Sequence, residues 1–279
     1  MSTRRTSPDQ TPPAPSTGAE AATYQAVRGH LATLRMSAAA EALPGLLDAA
    51  RAAKRNHTEF LHDLLAVEAA AVAARRHDSL QRFAKLPAAW HLDDFDFAAQ
   101  PTVDRHLMRD LCTGRYLDDA TNVLFIGPPG VGKTMLATIL GQAAVDAGRR
   151  TYYTTAVDLA ARCHRAAIEG RWATTMRFFN GPDLLLIDEV GYLPLAAEAA
   201  AALFQVISQR YGRGSIVLTT NLNVGAWGRI FDDTMVAAAM LDRLLHRSVV
   251  FNITGDSYRL RAHQARTKQL TGRTDHDRL

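Results

Sequence analysis

In the run Gly127-Pro128-Pro129-Gly130-Val131-Gly132-Lys133-Thr134, small and glycine residues close on a lysine and a hydroxyl. The spacing is G-x-x-x-x-G-K-[ST], which has a physical logic when it follows a strand and opens a helix. Glycines let backbone N–H groups wrap phosphate oxygens, and the helix N-terminus adds a partial positive charge. Lys133 is then expected at the β- and γ-phosphates of ATP and the Thr134 hydroxyl on Mg²⁺. The nucleotide-binding set is Gly127, Pro128, Pro129, Gly130, Val131, Gly132, Lys133, Thr134 and the adjoining Met135.

A second stretch, Leu184-Leu185-Leu186-Ile187-Asp188-Glu189, reads as a buried strand ending in two acids. An α/β sheet places such an end at its ligand crevice. Asp188 is expected to hold Mg²⁺ with Thr134, and Glu189 to polarise the attacking water. That assignment favours phosphoryl transfer to water over transfer to a metabolite hydroxyl. Asn221 follows the run Ile216 to Thr220 and is expected beside Asp188, holding the water or the γ-phosphate.

These residues need a scaffold. Short β-rich runs at Val123 to Ile126, Tyr152 to Thr155, Leu184 to Asp188, Ser215 to Thr220 and Val249 to Ile253 alternate with helical segments. Such alternation indicates βαβ units and a parallel sheet covered on both faces. Ahead of them, Tyr24 to about Ala84 is helical in pattern, with Val27, Leu31 and Leu34 on one face. Pro44 marks a break or kink there, and Asn56 with Glu59 reads as a capping box starting a long helix. The expected organisation is a disordered Pro-rich tail over 1–22, a helical domain over 23–86 for DNA or a partner, and a linker with a leading helix over 87–122. An ATPase domain over 123–261 and a basic tail over 262–279 complete it.

Composition bounds the function classes. A formal net charge of +4 permits nucleic-acid contact without demanding it. No apolar stretch approaches the length of about 20 residues that a membrane span needs, so a soluble, cytoplasmic protein without a membrane partner is expected. Arg4 and Arg5 are followed by Pro, Thr and Ser where an export signal would need an apolar core. Cys112 and Cys163 have no metal or redox spacing and read as free thiols.

With these motifs in place, the chain resembles the IstB-like ATPases, the transposition helpers of insertion sequences, which belong to the AAA+ superfamily and are close to DnaC-type helicase loaders. The resemblance runs from about Tyr24 to Arg261. Beyond the two phosphate-site motifs it rests on Asp188-Glu189-Val190-Gly191-Tyr192-Leu193-Pro194, Thr219-Thr220-Asn221-Leu222, Trp227-Gly228, Leu241-Asp242-Arg243-Leu244-Leu245-His246 and Gly255-Asp256-Ser257-Tyr258-Arg259. It implies an α/β AAA+ P-loop NTPase with a five-stranded parallel sheet in the order 5-1-4-3-2, a small helical N-terminal domain and a truncated C-terminal lid. It also implies a homo-oligomeric spiral or ring on double-stranded DNA and cooperation with a DDE transposase of the same element.

Carried over by position, the resemblance makes Asn221 the first sensor, Arg243 an arginine finger presented in trans, and Arg259 the second sensor. Arg247, one turn from Arg243, is the rival finger. Phe95 matches the linker aromatic beside the adenine. Between the second and third strands, Arg162, Arg165, Arg171 and Arg177 lie in a region resembling the helical insertion that lines a nucleic-acid channel in loaders and initiators. They are the expected DNA contacts, made to phosphates and not to bases.

The neighbouring reading is a helicase loader with the same site chemistry. A small-molecule P-loop kinase is disfavoured by Glu189 and Asn221, and a scaffold that binds ATP without turnover by the Asp188-Glu189 pair.

Overall fold

The computed structural model describes residues 17–191, 197–228, 234–258 and 260. The chain divides into two compact units, 1–75 and 76–279.

The first unit holds helices α1 (Thr17–Thr33), α2 (Ser37–Ala52) and most of α3 (His57–Ala84). Leu31, Ala39, Leu43 and Leu64 form its small core, with Tyr24, Val27 and Phe60 packed on it. The first helix starts inside the segment expected to be a tail, because Ala19, Ala21 and Ala22 favour helix and Glu20 sits in the first turn, where the helix dipole welcomes an acid. Pro44 lies inside α2 without ending it. The break falls instead at Arg35, which adopts a φ of +58° between the first two helices. The hydrogen bond that Pro44 cannot donate is offset by burial of Ala39 and Leu43 nearby on the same helix.

Both remaining helix starts are capped by side chains. The Asn56 N–H donates to Glu59 Oε2 and the Glu59 N–H to Asn56 Oδ1, each at 2.9 Å, which is the expected capping box. Met36, at the start of α2, has no side-chain cap. Glu68 of α3 supplies one, accepting the Ala39 N–H at 3.0 Å through Oε2 while Oε1 takes Arg75 Nη2 at 2.8 Å. The Ala39 N–H and Arg75 together hold the Glu68 carboxyl below the usual carboxylate range.

The last turns of α3 belong to the second unit, where Phe83 packs on Tyr152 and Phe178 at centroid distances of 5.5 and 5.9 Å. Then follow α4 (Arg105–Cys112), β1 (Asn122–Ile126), α5 (Lys133–Asp146), β2 (Thr151–Thr155), α6 (Ala156–Ile168), α7 (Trp172–Asn180), β3 (Leu184–Val190), α8 (Ala197–Arg210), β4 (Ser215–Thr220), α9 (Thr234–Leu245) and β5 (Ser248–Asn252).

The five strands form one parallel sheet in the order β2-β3-β4-β1-β5, the expected 5-1-4-3-2. Alternation along β1, β2, β3 and β4 feeds two cores, one on each face of the sheet, whereas the edge strand β5 contributes to the α5 side alone and leaves Val250 exposed. Leu124, Leu185 and Ile187 join the layer with α6, α8 and α9, whereas Phe125, Leu184 and Leu186 join the layer with α4 and α5. Because α5 carries the glycine loop at its start, the second layer is the one that positions the site. Both cysteines are free, and burial pushes each thiol up to about 11. Among the described residues no helix is long and apolar enough to cross a membrane.

Candidate active site

The glycine loop is pinned at the C-terminal edge of the sheet. The Gly127 N–H donates to the Thr220 carbonyl at 3.1 Å, and Ile253 N–H to Ile126 O at 2.7 Å, so β4 and the segment after β5 fix its base. A Cβ on Gly127 would stand 2.3 Å from the Ile253 carbonyl oxygen. Gly132, at a φ of +95°, is equally constrained, since a Cβ there would meet the Phe95 ring at 2.8 Å. The two glycines that the spacing demands are therefore demanded by sterics as well.

Lys133 is 5% exposed, and its ammonium donates to the carbonyls of Gly127 and Pro128 at 2.8 Å each, closing the loop on itself. The loop borders a cavity of about 500 Å³, lined also by Trp90, Phe95, Gln100, Met135, Glu189 and Tyr258. This volume suits a nucleotide-sized ligand. Phe95 is buried beneath Gly132 and meets Phe97 edge-on at 4.9 Å. The Tyr258 N–H donates to Gly130 O at 2.9 Å, tying the segment after β5 to the loop.

Asp188 is 3% exposed and sits at the centre of a hydroxyl cluster. Its Oδ1 accepts the Thr134 hydroxyl at 3.2 Å and also the Thr219 hydroxyl, and its Oδ2 accepts the Tyr153 hydroxyl at 2.7 Å. The expected pair Thr134 and Asp188 is thus in direct contact, and a hydroxyl beside a carboxylate is an oxygen donor set that suits Mg²⁺. Burial, and then the hydrogen bond to Asp188, push the Tyr153 phenol well above its ordinary value, so it stays a donor.

In a regular strand Asp188 and Glu189 would face opposite sides of the sheet. The backbone solves this with a bulge: pairing of β3 with β4 shifts between Ile187 and Val190, and Glu189 takes a φ of +62°. A left-handed, non-glycine residue costs roughly 1–3 kcal/mol and persists only where its surroundings hold it. Here the Glu189 N–H donates to Thr219 Oγ1 at 3.0 Å. Asp188 is consequently buried, and Glu189 is exposed and lines the cavity.

Asn221 leaves β4 beside the strand ends, since Thr220 pairs with both Ile126 and Val190. Its Oδ1 is buried with no hydrogen-bond partner among the described residues.

Arg243 lies at the other edge of the sheet. Asn122, at the start of β1, donates its N–H to Arg247 O at 2.8 Å and its Nδ2 to Leu244 O at 3.1 Å, anchoring the end of α9 there. The loop that holds Lys133 begins after the far end of this five-residue strand, a span of roughly 16 Å. Arg243 donates to Ala239 O at 2.8 Å and lies 5.2 Å from the Phe204 ring. With Arg247 and His246 it lines a second cavity of about 310 Å³, next to buried Arg210. Arg210 binds the carbonyls of Phe179, Pro182, Asp183 and Ser215, and burial pulls its guanidinium down to about 10. Arg259 lies outside the described residues.

The four arginines of α6, α7 and the turn between them differ in surroundings. Arg162 stacks 3.6 Å over the Phe178 ring, an internal contact between the two helices. Arg171 pairs with Glu169. Arg165 and Arg177 are exposed. No motif in the sequence marks Tyr153, Gln100 or Trp90. An aromatic in a linker and two adjacent tyrosines in a strand were the only signals, and neither points to a site until the strands are in register.

The profile of the family described as IstB-like ATP binding protein matches residues 29–266. A protein named for ATP binding in insertion sequence IS5376 of Geobacillus stearothermophilus is 47% identical over 206 residues, covering 74% of this chain and 82% of that protein. Its counterpart in insertion sequence IS21 of Pseudomonas aeruginosa is 38% identical over 231 residues, covering 83% and 87%. Among solved structures, the DnaC helicase loader superposes with a TM-score of 0.50 at 21% identity, covering 58% of this chain and 96% of that one. The replication initiator DnaA bound to AMPPCP and single-stranded DNA gives 0.53 at 18% identity, covering 67% and 57%. These two likenesses are of fold.

Proposed function

The chain belongs to the family of IstB-like ATP binding proteins, and on that basis we propose that it is an ATP-hydrolysing, DNA-binding transposition helper. In this reading it assembles on double-stranded DNA as a homo-oligomer and recruits or stimulates a DDE transposase. The observation that carries hydrolysis is the bulge that turns Glu189 into the cavity beside the glycine loop while Asp188 stays on Thr134. A site for binding alone has no use for a strained acid facing the cavity beside the glycine loop.

The residues fit ATP and Mg²⁺. Lys133 and the loop N–H groups would hold the phosphates and Thr134 and Asp188 the metal, and the cavity walls at Trp90, Phe95, Met135 and Tyr258 would offer apolar surface to the base. Asn221, with a buried carbonyl oxygen lacking a partner among the described residues, supports a role in orienting water or the γ-phosphate. Bound Mg²⁺ supplies charge neutralisation at the phosphates. Glu189 takes the proton of the attacking water, and Arg243 supplies a cation to a neighbouring subunit's site. The helicase-loader reading rests on fold alone, whereas the insertion-sequence relatives are far closer in sequence.

Two results test this reading. Lys133→Ala removes the cation at the phosphates and is expected to abolish ATP binding, measured with a fluorescent analogue, together with ATP-dependent assembly, measured by sedimentation. ATP affinity equal to that of the unaltered chain would refute it. Binding to duplex DNA is expected to be insensitive to base sequence and to weaken steeply with salt. Because Arg162 is committed to Phe178, the side chains to remove are Arg165 and Arg177: changing both to Ala should reduce the slope of log K against log salt by about 0.9 for each phosphate that is no longer neutralised. An unchanged slope would move the DNA surface to the N-terminal unit.

A further inference from the structure

The Asp188 carboxylate accepts hydroxyl hydrogen bonds on both oxygens, and the two sides differ in kind. Thr134 and Thr219 share Oδ1, at the position facing the glycine loop. On Oδ2 the donor among the described residues is Tyr153, at 2.7 Å. β2 pairs with β3 so that Tyr153 stands opposite Leu186 and Thr155 opposite Asp188. Period-two alternation puts Tyr153, Leu186 and Asp188 on the α5 side of the sheet, with the Tyr153 ring packed in the same core as Leu186. Its neighbour Tyr152 is on the other face, against Phe83 and Phe178. The phenol therefore extends from the core to the C-terminal edge, where its hydroxyl meets the carboxylate.

We propose that Tyr153 is a positioning residue for the metal-holding carboxylate: its hydroxyl on Oδ2 fixes the rotation of Asp188 and keeps Oδ1 directed at Thr134. The proposal rests on the reading of Thr134 and Asp188 as the residues that hold Mg²⁺. A carboxylate has a soft terminal torsion, and both hydroxyls on Oδ1 lie on one side of it, so without a partner on Oδ2 the group can turn away from the loop. A phenol anchored in the core is a stiffer stop than a solvent molecule. Partners that orient a metal's ligands in this way commonly contribute about 10- to 100-fold to metal affinity.

The test uses the full chain and a fluorescent ADP, titrated with Mg²⁺ and again with EDTA. The unaltered chain should bind more tightly with Mg²⁺. Tyr153→Phe keeps the ring and its packing, so the affinity in EDTA should stay as it is and the unfolding temperature should fall only as far as one lost hydrogen bond requires, while the gain from Mg²⁺ falls about tenfold. In an Asp188→Asn background the same change should add nothing, because Tyr153 acts through that carboxylate. An undiminished Mg²⁺ gain in Tyr153→Phe overturns the proposal. So does an equal loss with and without Mg²⁺, which would mark a packing role. If the unaltered chain binds ADP equally in Mg²⁺ and EDTA, the metal reading of Thr134 and Asp188 fails and Tyr153 falls with it, while nucleotide binding by the loop stands.

Discussion

Glu189→Gln is expected to bind ATP as the unaltered chain does, to accumulate assembled complexes, and to lose about 10²- to 10⁴-fold in turnover, the usual contribution of a general base. Glutamine is close to glutamate in shape, so the backbone anchor from the Glu189 N–H to Thr219 is untouched and the bulge should persist. What is removed is the carboxylate that, in the proposed mechanism, accepts the water's proton. The corresponding change at Asp188 would be less clean, since that carboxylate accepts hydroxyls from Thr134, Thr219 and Tyr153 and its loss disturbs all of them. Steady-state phosphate release, with nucleotide binding measured in parallel, separates the effects. Turnover within a few-fold of the unaltered chain would remove Glu189 as the base.

The second large effect is expected at Arg243. Its position at the edge of the sheet opposite Lys133 means that it cannot serve its own chain's phosphates, so a catalytic role requires a neighbour. Turnover per subunit should then rise with protein concentration, and Arg243→Ala should flatten that rise. Arginine fingers contribute about 10³ to 10⁵ in small GTPases. A smaller factor is expected here if Glu189 and Asn221 act in each site as proposed. Mixing gives the decisive measurement. Arg243→Ala subunits keep intact pockets, and Glu189→Gln subunits keep intact fingers and bind ATP, so two inactive preparations should recover activity when combined. If Arg243→Ala hydrolyses ATP like the unaltered chain at every concentration, with DNA present, the finger lies elsewhere. Arg247 lines the same cavity and is then the residue to change.

Much of this protein is legible in its chain alone, for local reasons. The glycine loop is a contiguous motif whose chemistry depends on spacing within a strand–loop–helix unit. The capping box at Asn56 and Glu59 is likewise formed by residues one helical turn apart. The strands are visible because short runs of aliphatic, aromatic and β-branched residues alternate with helical segments, and their order follows from the resemblance. Other features depend on a longer-range balance. Of the break or kink expected at Pro44, the break is absent: α2 runs on through it because apolar burial along that helix offsets one missing hydrogen bond. Along α3 the apolar partner changes without any interruption that a sequence could display.

The site divides the same way. That residues 188 and 189 are both acids is written in the chain, but a regular strand would send them to opposite faces. Only the bulge against β4, held by Thr219, brings Glu189 into the cavity and leaves Asp188 buried. Tyr152 and Tyr153 are indistinguishable as adjacent tyrosines, yet the register of β2 on β3 sends one into a hydrophobic layer and the other onto Asp188. The four arginines between β2 and β3 form one basic region in sequence, and the packing of α6 on α7 is what commits Arg162 to an aromatic ring. Residue type and local spacing are enough to establish which groups could do phosphate chemistry, and both can be read from the chain without its fold. Which of those groups meet is settled only by packing, because strand register, a backbone bulge and the length of the sheet between Lys133 and Arg243 are set by contacts among residues far apart in the chain.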